Sequence, residues 1–526
     1  MVRNIKLISI LNSLNPREVR AFQQFVDSPY FNQDEKLSLL LTSILPRLSY
    51  EGSSRELKEG LYTTMFPNEI YDDKRMRYLF SNLSQLAEQF LLQQSYRTNP
   101  IQQQLTLANI SNQRGLPKLY GQTIHKVEQH FKTQPQRDVL YFQQHLELHR
   151  IKDEHFQQQR LRKFDENLQW VSDNLDRYYY LQKLRQACMM LDRQAILTAN
   201  YDLGISKAWL DHLSERSFFD EQIIRIYYTI LMCALEEDEI QHFQALKQML
   251  AEVNEEITNS DLADIFRFAI NYCARKIRKG RSEYLDEALQ LYIRGIASEL
   301  FLEDGHLSPW TFTNVVKLAL RLEKFEWIEE FIPKYAPSLP SDFQENALHY
   351  NYAELYYYRK DFDQALTHLN QVALDDLNYA LGTRVMLAKI YYETAEENAL
   401  LSLLAAFSLF LKRNRKISAN IKHTYLNFCD LLFQLIRRNP KKLSNIRKKI
   451  ESTSLLTDRG TKVCSSFIQL RTNNLFSIRT TLIPYEIRSL HTLFAIVLYP
   501  NYCSNFPKDP LYPRRRWDRG LPRRWF

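Results

Sequence analysis

No proline occurs between Pro135 and Pro309, and the whole 526-residue chain holds only 11 glycines. Proline breaks helices and glycine serves the tight turns and phosphate loops of α/β folds, so a long proline-free stretch in a glycine-poor chain is built for uninterrupted helices. Average glycine usage is about 7%, and a chain far below it has few places to turn a strand into a helix. The sequence therefore predicts an all-α protein. A content of 45% hydrophobic and 25% charged residues is that of a globular chain, and 526 residues suffice for two or three domains or for one continuous array of helices.

Local patterns divide the chain. PREVRAFQQFVD (16–27) opens with proline at a first helical position and places Val19, Phe22 and Phe25 on one face. Asn32 and Glu35 have capping-box spacing for the helix that follows, and Tyr30 and Phe31 are expected to fold back on the apolar faces. A longer helix is predicted over 72–97. Breaks follow at RTNP, RGLP, KTQPQ, DLG, RKGRS and EDGHLSP, and no run of alternating β-branched residues argues for a sheet.

From about residue 220 a recurring form sets in: a long helix, a short polar turn, then a helix opening on a small or apolar residue. Its markers are Ala245, Ala288, Ile328, Ala365 and Leu400, spaced 43, 40, 37 and 35 residues apart. Such periods signify stacked helix hairpins that cannot bury their apolar faces alone. Residues 1–133 are expected to form an N-terminal helical region, 136–300 a hairpin array, 301–453 the most regular repeats with basic terminal helices, and 454–526 an irregular tail. Whether 1–133 is a separate domain or the first turns of the same array is left open by the pattern.

The tetratricopeptide pattern is W-x2-L-G-x2-Y followed by A-x3-F, in about 34 residues. Tyr352-Ala353-x2-Tyr356 with Ala365-x3-Leu369, and Leu387-Ala388-x2-Tyr391 with Leu400-x3-Leu404, resemble it. The family tryptophan is replaced by His349 and by Arg384, and Leu400 replaces the second small residue. The clear resemblance covers about 345–410. The chain also resembles a group of bacterial tetratricopeptide-like proteins with such repeats near the C-terminal end, which adds an architecture and no activity.

The resemblance implies an α-solenoid in which Tyr352, Ala353 and Tyr356 pack between helices, while first helices line a concave face. Tyr350, Tyr357, Tyr358 and Arg384 are then the candidate contacts to a partner's peptide or helix. The expected function is a non-catalytic scaffold or adaptor, its protein or peptide partner unnamed by the sequence.

The rival reading rests on charge. From Lys412 onward there are 24 Lys and Arg against 6 Asp and Glu, a net +18, which leaves 45 against 55, a net −10, for the preceding 411 residues. Lys412, Arg413, Arg415 and Lys416 precede an apolar-faced helix, and Arg437, Arg438, Lys441 and Lys442 follow it. These are candidate phosphate contacts for a nucleic acid, although cations at helix C-termini also have a purely structural use.

Chemistry has little footing. His145, His149 and Asp153 share one helical face, but the glutamate of an H-E-x-x-H site and a further ligand cluster are missing. G-x-S-x-G, Walker, G-x-G-x-x-G and C-x-x-C motifs do not occur, so no catalytic residue, metal or cofactor is expected. The six cysteines are dispersed at 188, 233, 273, 429, 464 and 503. No apolar run reaches the ~18 residues of a membrane span, and a cytoplasmic protein is expected. After about Lys462 the proline- and arginine-rich segment loses helical periodicity and is expected to lie outside the fold, as a disordered or frame-shifted tail.

Overall fold

A computed structural model describes residues 5–50, 52–160, 162–194, 200–415, 417 and 419–436. The expected tail, with Lys416, Arg437, Arg438, Lys441 and Lys442, lies outside these residues. The described residues form an all-α protein, with one two-stranded ribbon as its only sheet. They divide into two compact units, Met1–Tyr179 and Tyr180–Phe526. The position 133 expected as a limit falls within the first unit.

In the first unit, α1 (Lys6–Ser13), α2 (Pro16–Val26), α3 (Glu35–Ile44), α4 (Ser54–Met65) and α5 (Asp73–Arg97) enclose one apolar core. Asn15 caps α2 through a full capping box with Glu18, which satisfies two otherwise orphaned backbone N–H groups. Asp34, not Asn32, caps α3 by accepting from the Lys36 backbone N–H. The Asn32 Oδ1 accepts instead from the Asp34 N–H, and its amide donates to the carbonyls of Val26 and Asp34. Phe22 lies 5.2 Å from Phe90 across the core. Phe31 stacks on Phe25 at 4.0 Å, whereas Tyr30 remains 87% exposed, so only one of that pair folds back. Helices α6 (Pro100–Gln113), α7 (Pro117–Thr133) and α8 (Val139–Gln158) follow and pack on one another. Helix α9 (Glu166–Gln194) contains the division between the units.

The second unit continues through α10 (Lys207–Ser214), α11 (Gln222–Leu235), α12 (Ile240–Ala251), α13 (Asn259–Arg278), α14 (Tyr284–Ala297), α15 (Pro309–Arg321), α16 (Phe325–Tyr335), α17 (Ser341–Tyr358), α18 (Phe362–Leu369), α19 (Leu377–Glu393), α20 (Glu397–Arg413) and α21 (Ala419–Ile436). Each of α11, α13, α15, α17 and α19 packs on its successor, and α15, α17 and α19 also pack in series. Between α14 and α15 the segment read as a simple break forms antiparallel strands β1 (Leu302–Glu303) and β2 (His306–Leu307). Asp304 and Gly305 both take positive φ there, the turn that matches the twist of a two-residue hairpin.

One turn recurs. Gly280, Glu323, Lys360 and Ala395 sit just past the ends of α13, α15, α17 and α19, all with φ between 56° and 89°. In each case the next residue's N–H reaches back to a carbonyl five residues earlier: Arg281 to Lys276, Lys324 to Ala319, Asp361 to Tyr356, Glu396 to Tyr391, at 2.8–3.1 Å. This 6→1 bond closes the last helical turn and reverses the chain into the next helix. Only Gly280 meets the left-handed geometry without a Cβ penalty of about 1–2 kcal/mol. Replacing Ala395 by glycine is expected to raise the unfolding free energy by up to about 1 kcal/mol, and replacing it by valine to lower it. Urea denaturation of the two variants checks both signs.

Candidate functional site

The five tyrosines of residues 350–358 have separate fates. Tyr352 and Tyr356 stack with each other and lie 5.3 and 5.4 Å from the ring of His368 on α18, joining the two helices of one hairpin. Tyr357 is buried against Phe362, with the Lys389 ammonium 5.4 Å above its ring. Tyr358 is half-buried, and burial raises its phenol above the ordinary value. Tyr350 is 7% exposed.

Two of the four expected partner contacts, Tyr350 and Tyr357, are therefore not exposed rings. Tyr350 lies against Tyr379 of α19, and Tyr357 against Phe362 of α18 and Lys389 of α19. Arg384 is half-buried as well: its guanidinium lies 4.2 Å over Phe410 of α20 and donates to the Ala380 carbonyl.

Tyr350 instead forms the wall of a cavity of about 110 Å³ bounded by α15, α17, α19 and α21. Asn314 and Lys317 enter it from α15, Tyr350 and Glu354 from α17, and Tyr379 and Lys389 from α19. The Tyr350 hydroxyl donates to Glu354 Oε1 at 3.2 Å, and Lys317 Nζ stands 3.8 Å from the same oxygen. Burial lowers the Lys389 pKa, with Glu354 pulling it up and Lys317 pushing it further down. Tyr379 is 2% exposed and its hydroxyl has no hydrogen-bond partner. A buried donor left unmade costs about 1–3 kcal/mol, so the cavity holds two ammonium groups, one carboxylate and an unused hydroxyl. Glu393 also acts on Lys389, and the Tyr379 hydroxyl is the group here without a hydrogen-bond partner.

Of these residues only Tyr350 was among the sequence-derived candidates, yet a signal for the charged ones existed. Lys317, Glu354 and Lys389 each lie six residues before a left-handed turn residue, Glu323, Lys360 and Ala395. Three charged side chains at one register of α15, α17 and α19 mark a polar line.

Gly382 makes room for the cavity wall. A Cβ there would meet the Tyr350 hydroxyl at 2.5 Å and ring atoms at 3.0 Å. Gly382→Ala is expected to cost about 1–3 kcal/mol of stability through this overpacking, and Tyr350→Phe in the same chain to recover part of it. Comparison of the three denaturation midpoints checks the coupling.

In the first unit the face that carries His145, His149 and Asp153 is engaged within the protein. His145 Nδ1–H donates to Asn174 Oδ1 at 3.0 Å, His149 Nδ1–H donates to Asn167 Oδ1 at 3.1 Å, and Asp153 accepts from Gln157. His149 stacks on Trp170. Among the described residues no group of three or more His, Cys, Asp or Glu is placed to hold a metal ion.

Burial depresses His149 from 6.5 to about 4, helped by His145 and Lys152 and opposed by Asn167 and Glu128. The unfolded chain then binds the proton that the folded chain refuses between about pH 4 and 6.5. Stability from this group is complete above 6.5 and falls as the pH drops through that window, by roughly 3 kcal/mol in total. His149→Phe, which keeps a ring against Trp170, is expected to flatten the pH dependence by that amount in denaturant titrations.

Lys412, Arg413 and Arg415 are exposed at and beyond the end of α20 and make no ion pair among the described residues. Among those residues, no helix is long and apolar enough to cross a membrane. No protein-family model matches the chain, and no curated protein or solved structure matches it.

Proposed function

We propose that this chain is a non-catalytic interaction scaffold: an α-solenoid of tetratricopeptide-like hairpins that holds a partner's peptide along α15, α17 and α19. The cavity is where an acidic group of that peptide seats. The reading is carried by one observation, the buried, unpartnered Tyr379 hydroxyl beside Lys317 and Lys389. A carboxylate or phosphate accepts from the Tyr379 hydroxyl in a setting made positive by Lys317, and charge-assisted hydrogen bonds are the strong ones. The serial packing of α15, α17 and α19 offers a continuous face on which the rest of a peptide lies.

Fluorescence anisotropy with acidic peptides and their amidated counterparts tests this on the full chain. Acidic peptides are expected to bind, and Lys389→Met or Tyr379→Phe to weaken them by roughly tenfold, equivalent to about 1.4 kcal/mol. Equal binding of acidic and amidated peptides, or insensitivity to both substitutions, overturns the reading.

The exposed Lys412, Arg413 and Arg415 support a second reading, a nucleic-acid-associated or regulatory protein. Its mark is affinity for an oligonucleotide that falls steeply with salt. Peptide binding in the cavity is more resistant to salt because its charges are partly shielded from solvent.

A further inference from the structure

A second cavity lies in the same unit, away from the acidic-group site and independent of the scaffold reading. Its volume is about 250 Å³, and it is bounded by α9, α11, α12 and α13. That is several times the ~30 Å³ share of one water and short of the ~300 Å³ at which sites for drug-sized ligands begin.

Its polar atoms are unbalanced in two directions. Arg275 has five N–H donors, yet its guanidinium makes no hydrogen bond among the described residues. Its charge partner Asp192 stands 3.8 Å away, outside hydrogen-bonding distance. Asp192 is already engaged, for both of its oxygens accept from Asn271 Nδ2, at 2.9 and 2.8 Å. Burial pushes the Asp192 carboxyl upward against the pull of Arg275, Asn271, Arg278 and Arg267, which reduces what it offers Arg275.

Two other residues lining the cavity carry the opposite deficit. Gln194 Oε1 and Glu237 Oε1 are buried acceptors with no donor, although Gln194 Nε2 donates to Asn200 and Glu237 Oε2 accepts from Lys279. The remaining surface is apolar or aromatic, including Leu191, Ile230, Leu246 and Phe268. Cys188 and Cys233 also line it, but burial raises both thiols, Cys233 to about 12, so they remain neutral.

A site that lacks an anion at one group and N–H donors at two others is complementary to a molecule carrying both. We propose that this cavity binds a small zwitterion, a free α-amino acid with an apolar side chain. Its carboxylate pairs with Arg275, its ammonium donates to Gln194 Oε1 and Glu237 Oε1, and its side chain lies against Leu191, Ile230 and Phe268. Arg–carboxylate pairing is frequently bidentate, which gives the site its orientation.

Isothermal titration calorimetry and thermal shift on the full chain test it with three probes. Leucine carries both charges, leucinamide lacks the carboxylate and 4-methylpentanoate lacks the ammonium. Saturable binding of leucine at millimolar concentration or below is expected, with each truncated probe weaker by at least roughly tenfold. Arg275→Met is expected to abolish the preference for leucine over leucinamide, and Glu237→Gln to shrink the preference for leucine over 4-methylpentanoate.

The probe series on the unaltered chain stands even where a substitution impairs folding. If leucine and the other apolar amino acids all fail to bind, the cavity is filled by water only and the proposal falls. Equal affinity for leucine and either truncated probe overturns it as well.

Discussion

The left-handed turn closed by a 6→1 hydrogen bond is the constraint on which the second unit depends. It fixes where α13, α15, α17 and α19 stop, and so fixes which residue of each helix reaches a given height in the array. Because a helix advances 1.5 Å per residue, a shift of one residue in the turn would move and rotate every side chain on the helix before it. Three of the four turn residues carry a Cβ in this strained region, and the cost is offset by the apolar surface that the returning helix buries, Ala365 and Leu369 after Lys360 and Leu400 and Leu404 after Ala395.

The same register organises polar chemistry. Six residues before the turn come Lys317, Glu354 and Lys389; nine residues before it come Asn271, Asn314 and Asn351. Each of these asparagines donates its amide to an earlier helix: to Asp192 on α9, to Tyr292 on α14 and to Thr313 on α15. The charged line opens into the first cavity, and Asn271 holds Asp192 at the edge of the second. The second unit thus keeps polar side chains at repeated distances from its turns, where hydrogen bonds tie one helix to another and leave a few donors and acceptors unspent.

The fold class was legible because scarce glycine and a proline-free middle act on every residue at once. Ala365 and Leu400 were legible as core positions too, since small or apolar residues recur there and both are buried. The cavities were not. Tyr350 and Arg384 drew notice as an aromatic and a cation in the most regular repeat, but exposure depends on what the next helix brings, here Tyr379 over one and Phe410 under the other. Lys317 and Lys389 look like ordinary solvated lysines in sequence, and only alignment on the turn residues reveals their common height. Asn32 failed as a cap because its Oδ1 accepts from the Asp34 N–H, while its amide is held by the Val26 carbonyl.

The most direct test of the account is a double-mutant cycle for acidic-peptide affinity using Lys317→Met, Lys389→Met and the pair together. If both ammonium groups face one anionic group in the cavity, their effects are coupled, and the cycle should return an interaction energy above about 0.5 kcal/mol. Effects that add to within about 0.3 kcal/mol would mean that the two lysines do not share a ligand, and the cavity would then be a gap in the packing with no guest.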